Sequence, residues 1–228
     1  MYKFNHIDLN LPRLERETID GVRFYKIPGA ENVKRLVSIT SITSHYNRQI
    51  FIDWRKRVGE AEANKVTKQS TSRGTDMHTL AENYLLNNEL PKVQPLSDYL
   101  FKIAKKELDK INNIHAIENS LYSDVLGIAG TVDCIAEYTG ENGEPELAII
   151  DFKTSKKPKP VEWIENYFVQ AAAYACMLYE MTEIPVKKLV IIMACENGEC
   201  EVYEEYDKGK YIKLLVEYIR EFVDSKTN

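Results

Sequence analysis

Apolar and polar positions change their rhythm three times along the chain. Residues 15–29, ERETIDGVRFYKIPG, alternate briefly around Asp20-Gly21, a tight-turn signal that predicts a small hairpin. From about 40 to 112 the period is helical. Trp54, Val58 and Ala61 recur at helical spacing, as do Leu80, Tyr84 and Leu85. Pro91 and Pro95 break the run, and a further helix fits LSDYLFKIAKKELDKI. Strand patterns then take over near 114–123, 130–138 and 146–153. A long helix fits 161–181, strands fit 187–195 and 200–206, and an amphipathic helix fits 210–224. This order predicts an α/β fold in which helices flank a central mixed β-sheet, with a helical cap on the N-terminal side. Three regions follow: an arm at 1–36, a helical cap or arch at 37–112, and a core at 113–228.

Composition narrows the classes. Hydrophobic residues make up 44% of the 228, enough for a real core. No apolar run approaches the roughly 20 residues that would span a bilayer, so no membrane partner is expected. The N-terminal stretch lacks the pattern of a secretory or organelle targeting segment, which predicts a cytoplasmic protein. Heavy use of Ile, Lys, Asn and Tyr suggests an AT-rich genome and a bacterial cell or phage-infected host. A net charge of −5 argues against coating nucleic acid through bulk charge. Basic residues nevertheless cluster at Arg48, Arg55, Lys56, Arg57, Lys65, Lys68 and Arg73, and again at Lys153, Lys156, Lys157 and Lys159. Taken singly, each is explained by a solvated face. Cys134, Cys176, Cys195 and Cys200 form no C-x2-C pair and read as reduced thiols. No oligomer signal is visible, and a monomer is expected.

One stretch breaks the core pattern. LAIIDFK (147–153) runs as an aliphatic strand and then places Asp151 and Lys153 two residues apart, on one face. In GTVDCIAEY (130–138), Thr131, Asp133, Ile135 and Glu137 share a face. The connecting TGENGEP allows two turns. A two-residue turn on Asn142-Gly143 pairs 141 with 144 and sends the two aspartates to opposite faces. A three-residue loop, with Gly143 left-handed, pairs 140 with 144 and sets Asp133 opposite Asp151, their Cβ atoms about 5 Å apart. Carboxylates that close repel, so one holds a proton unless a cation sits between them. Oxygen ligands at this spacing suit Mg²⁺ or Mn²⁺, and an ammonium at Lys153 can stabilise charge on a phosphate. A buried Asp151–Lys153 ion pair, with Asp133 in a turn, fits the same residues. On SRGTDMHTLAENYL, Gly74, His78 and Glu82 line one helix face, where His78 can offer an imidazole and Glu82 an added ligand. On WIENYFVQAAAYACML, Tyr167, Gln170 and Tyr174 share a face, and Gln170 there needs a partner.

Together G130-x-x-D133, D151-x-K153, Q170-x-x-x-Y174 and the upstream G74-x-x-x-H78 resemble the RecB-type branch of the PD-(D/E)XK nucleases. Within that branch they resemble the subgroup of the mitochondrial genome maintenance exonuclease and its phage and bacterial relatives. The resemblance covers roughly 35–225 and implies a restriction-endonuclease-like core. It further implies metal-assisted hydrolysis of DNA in replication, repair or recombination, with preference for single-stranded DNA with free ends. It makes His78, Asp133, Asp151 and the Phe152 carbonyl metal ligands for Mg²⁺ or Mn²⁺, and Lys153 the catalytic lysine. Gln170 and Tyr174 become positioning residues beside the phosphate. Thr154, Ser155 and Lys156 would meet the phosphates, with Arg48, Trp54, Arg57 and Arg73 along the strand. Val132 replaces the literal proline. Some RecB-type relatives hold an iron–sulfur cluster, but no cysteine precedes 134 here, so none is expected. The same core motifs fit a duplex-end or structure-specific endonuclease; an inactive DNA-binding relative is a further alternative, against which the intact Asp133, Asp151 and Lys153 set speaks.

Overall fold

The computed structural model of the chain describes residues 3–29 and 33–227; positions 1, 2 and 30–32 of the expected arm, and residue 228, lie outside them. The hairpin is present as β1 (Glu15–Ile19) and β2 (Val22–Ile27). Asp20 and Gly21 both have positive φ, 48° and 76°, the conformation that matches a two-residue turn to strand twist. A short strand unforeseen in the sequence, β3 (Lys34–Ser38), straddles the expected boundary between arm and cap. The helical stretch resolves into α1 (Ile39–Tyr46), α2 (Arg48–Val58), α3 (Glu60–Leu85) and α4 (Pro95–Leu108). Gly59, at φ 85°, separates α2 from α3, and Pro95 opens α4, where its missing N–H costs nothing.

The remainder follows the alternating pattern closely: β4 (Ile111–Ser123), β5 (Ile128–Thr139), β6 (Pro145–Ser155), α5 (Glu165–Thr182), β7 (Lys188–Cys195), β8 (Cys200–Glu205) and α6 (Lys208–Thr227). A one-turn 3-10 helix, Val161–Trp163, precedes α5 where one continuous helix from 161 was expected. Among the described residues the eight strands form one mixed sheet ordered β1-β2-β3-β5-β6-β7-β8, with β4 also paired to β5. The β3–β5 and β6–β7 pairs are parallel and the rest antiparallel.

Alternation along the strands feeds two cores. On one face Ile135, Ile149, Leu189, Ile191 and Met193 pack with α1, α5 and α6 through Ile39, Phe168, Val169 and Leu215. On the other, Cys134, Ala136, Ile150, Phe152, Val190 and Ile192 pack with α3 and α4 through Met77, Leu80, Leu100 and Phe101. Helices thus cover both faces of the sheet, which is why its central strands read as nearly unbroken apolar runs. No helix of the described residues is long and apolar enough to cross a membrane.

The β5–β6 turn takes the three-residue form. Thr139 pairs with Pro145 and Cys134 with Ile150, and Gly143 sits at φ 76°. That register, extended by one step, brings Asp133 to Asp151.

Candidate metal centre and nucleic-acid cavity

The site forms where the sheet forks. β4 pairs with one edge of β5 along its length, so β3 and β6 share the other edge. β3 takes Ile128 and Ala129, and β6 takes Cys134 to Thr139. Residues 130–133 have no ladder partner on that edge. Gly130 is needed in this gap because Tyr174 lies against it. A Cβ there would stand 2.7 Å from the Tyr174 ring and 2.9 Å from Ile39, both closer than real contacts allow. Asp133, at the fork, uses Oδ2 to accept the Phe152 N–H at 2.8 Å, filling the place of the next ladder bond.

Three groups converge there. His78 reaches from α3, and its Nδ1 lies 3.4 Å from Glu118 Oε1 and 3.5 Å from Asp133 Oδ1. Its Nε2 donates to the Phe152 carbonyl at 2.9 Å, which fixes the ring. Ligand atoms of His78, Glu118 and Asp133 lie within 4.8 Å of one another. The Asp133 charge raises the His78 pKa to about 9, against the opposing effect of burial and with help from Glu118. Glu82, one turn along α3, is raised by burial and by Glu118, but stands outside that cluster.

Asp151 is buried. Its Oδ2 touches the Lys153 ammonium as an ion pair, and its Oδ1 has no hydrogen-bond partner. Burial pushes its pKa up to about 6, opposed by Lys153 and reinforced by Asp133. For Lys153, burial pulls downward but Asp151 and Asp133 outweigh it, and the pKa is raised. The two charges of the apolar strand face each other, and Asp133 favours the charge on Lys153 while opposing that on Asp151. Gln170 finds its partner in Tyr174, donating to the hydroxyl at 3.0 Å. Tyr174 is buried, which raises its pKa, and it feels Asp133 and Asp151.

This donor set fits a hard divalent cation. Carboxylates of Glu118 and Asp133 with one imidazole give mostly oxygen ligands, the mix that suits Mg²⁺ or Mn²⁺, and Asp151 lies outside that cluster but next to Asp133 in strand register. Lys153 meets one oxygen of the buried Asp151, and Oδ1, left without a partner, has room for a cation ligand bond. The His78 Nε2–H to carbonyl bond is the contact that commonly orients a ligating imidazole through its other nitrogen.

Beside the fork lies a cavity of about 970 Å³. Trp54 and Arg57 of α2, Ser70 and Arg73 of α3, Thr154 and Ser155 at the end of β6, and Lys156 just after it all line it. Two expected strand contacts have other engagements. Arg48 points away from this cavity and bonds Glu221 of α6 at 3.1 Å. Arg73 is largely buried and pairs with Glu196 at 2.7 Å, tying α3 to the turn after β7.

Glu118 was not among the residues singled out in the sequence. It sits mid-strand in β4 at φ 49°, a left-handed conformation that only a few per cent of non-glycine residues adopt. A register shift between Asn112 and Ala116 bends β4 just before it. A glutamate followed by two more polar residues (Glu118, Asn119, Ser120) within a strand was the one available signal.

Comparison with known proteins finds distant relatives. The chain is 29% identical over 187 residues to mitochondrial genome maintenance exonuclease 1 of Homo sapiens, covering 76% of this chain and 52% of the relative. The protein of the same name from Mus musculus is 29% identical over 161 residues, covering 65% and 45%. That from Xenopus tropicalis is 30% identical over 131 residues, covering 53% and 35%. The chain therefore has distant homologues named as exonucleases, and it spans about half the length of the human relative. No family model matches it.

Proposed function

We propose that the chain is a divalent-metal-dependent deoxyribonuclease, acting as an exonuclease on single-stranded DNA with free ends. The observation that carries the reading is the His78–Glu118–Asp133 cluster, with the buried Asp151–Lys153 ion pair next to it in strand register. The names of the homologues support the same chemistry.

His78, Glu118, Asp133 and Asp151 would hold Mg²⁺ or Mn²⁺, with Glu82 behind them. A divalent ion there supplies positive charge against the phosphate and makes water a better nucleophile. Binding it requires His78 to release the proton it holds in the metal-free protein, while the Phe152 carbonyl keeps the ring oriented. Lys153, half-buried and cationic, presents an ammonium where charge develops on the phosphoryl oxygens. Gln170 and Tyr174 hold the fork open at Gly130 and brace the Asp133 side of the site. Thr154, Ser155 and Lys156 would meet the phosphates, and Trp54 and Arg57 the strand beyond. Arg48 and Arg73 would reach DNA only on release from Glu221 and Glu196.

Digestion of end-labelled linear single strands, circular single strands and duplexes, with Mg²⁺, Mn²⁺ or EDTA, tests this. Loss of linear single strands alone, abolished by EDTA, is expected. Equal cutting of circles removes the exonuclease assignment, a preference for duplex ends removes the substrate assignment, and no cutting under any condition removes the enzyme.

A further inference from the structure

The wall of the 970 Å³ cavity is built in an unusual way. Large apolar side chains are normally left exposed singly and scattered. Here Trp163 is 71% exposed and Ile50 72%, and both line the one cavity. Among the described residues only Val125, at 85%, is a more exposed large hydrophobic side chain. Ile164, next to Trp163, is fully buried and ends the 3-10 turn, while the Trp163 indole lines the cavity.

The segment that presents it is fixed on both sides. Pro158 and Pro160 restrict the chain ahead of the turn. The Tyr203 hydroxyl donates to the Lys159 carbonyl at 2.7 Å and accepts the Lys159 N–H at 3.3 Å. Lys159 Nζ donates to the Tyr167 hydroxyl at 3.1 Å. An exposed aromatic on so rigid a support loses little freedom when something stacks on it.

Charge identifies the ligand. Lys156 and Lys157 precede the turn, Arg57 stands on α2, and none of the three has an ion pair among the described residues. Asp53 is the acidic residue of the lining. An aromatic face amid unpaired cations, leading from the fork where a phosphate would be cut, matches a single nucleic-acid strand with unstacked bases.

We propose that Trp163 is a stacking platform for one nucleobase of the bound single strand. The proposal rests on the nuclease reading for the identity of the ligand and extends it to a base-binding subsite on the core side, facing Trp54 and Ile50 of the cap. Bases of either kind stack on it, so it fixes the position of the strand without reading sequence.

A base-by-residue cycle tests it. Short single strands, each with one abasic position, are titrated in EDTA against the wild-type chain, Trp163→Ala and Trp163→Phe, by fluorescence anisotropy. Wild type should lose about tenfold in affinity when one particular base is missing. Trp163→Ala should lose a similar factor on the intact strand and become indifferent to that abasic position, and Trp163→Phe should recover most of both. The idea is overturned if Trp163→Ala shows the full wild-type abasic penalty at every position, or binds intact strands as tightly as wild type. Neither result depends on cleavage, so failure of the digestion experiment and failure of this one are separable.

Discussion

His78 holds a proton in the metal-free protein because Asp133 and Glu118 surround its Nδ1. Its pKa is raised to about 9 in the fold, against 6.5 for the free side chain. A raised value means that folding takes up a proton between those limits. The stabilisation is fully present below pH 6.5 and is lost as pH rises through 9. The thermal midpoint of the EDTA-treated protein should therefore fall between those pH values, and His78→Ala should show a flatter profile. A wild-type profile as flat as the variant's would mean that the imidazole is not held as described. Lys153 belongs to the same scale. Its ammonium is positioned by Asp151, and its removal should cost about 10²-fold or more in single-turnover cleavage while leaving strand binding within a few-fold. A Lys153→Ala protein with unchanged single-turnover rate would take the lysine out of the chemistry.

At the scale of elements, the fork in the sheet brings α3 and α5 from opposite faces to one site, and Gly130 is where Tyr174 of α5 and Ile39 of α1 pack tightest against the strand. Gly130→Ala must push back the Tyr174 ring or Ile39, both buried, and should destabilise the fold by about 2 kcal/mol in chemical denaturation. It should also lower cleavage beyond what the lost stability explains, since Tyr174 leaves Gln170. Stability equal to wild type would show that the fork tolerates a methyl group and that the close approach of Tyr174 is not required. Much of this scale was legible in the chain. From Ile111 onward each strand and helix matches an alternation or a 3.6 period, and Gly143 in TGENGEP allowed the register that aligns Asp133 with Asp151. What could not be read depends on distant partners. β3 is five residues long and exists because β2 and the end of β5 flank it. Glu118 enters the cluster only because β4 bends and its backbone turns left-handed. Arg48 and Arg73 look like free cations until Glu221 and Glu196 arrive from the other end of the chain.

At the scale of the whole molecule, a net charge of −5 has to be reconciled with a polyanionic substrate. The cavity does so locally, by gathering Arg57, Lys156, Lys157 and Lys159, against the single acidic Asp53, on walls that also carry Trp54, Trp163 and Ile50. Binding of a single strand should then weaken with salt by a slope set by a few contacts. Lys156→Ala with Lys157→Ala should shrink that slope by about 0.7 per lysine. An unchanged slope in the double variant would send the strand along another surface.

The metal centre is the claim on which the rest depends, and anomalous diffraction from crystals soaked in Mn²⁺ observes it directly. A single strong peak at the fork, within ligand distance of Asp133 and Asp151 and approached by His78 and Glu118, is the expected result. A Mn²⁺-soaked crystal with no peak there, and Asp151 still paired only with Lys153, would contradict it.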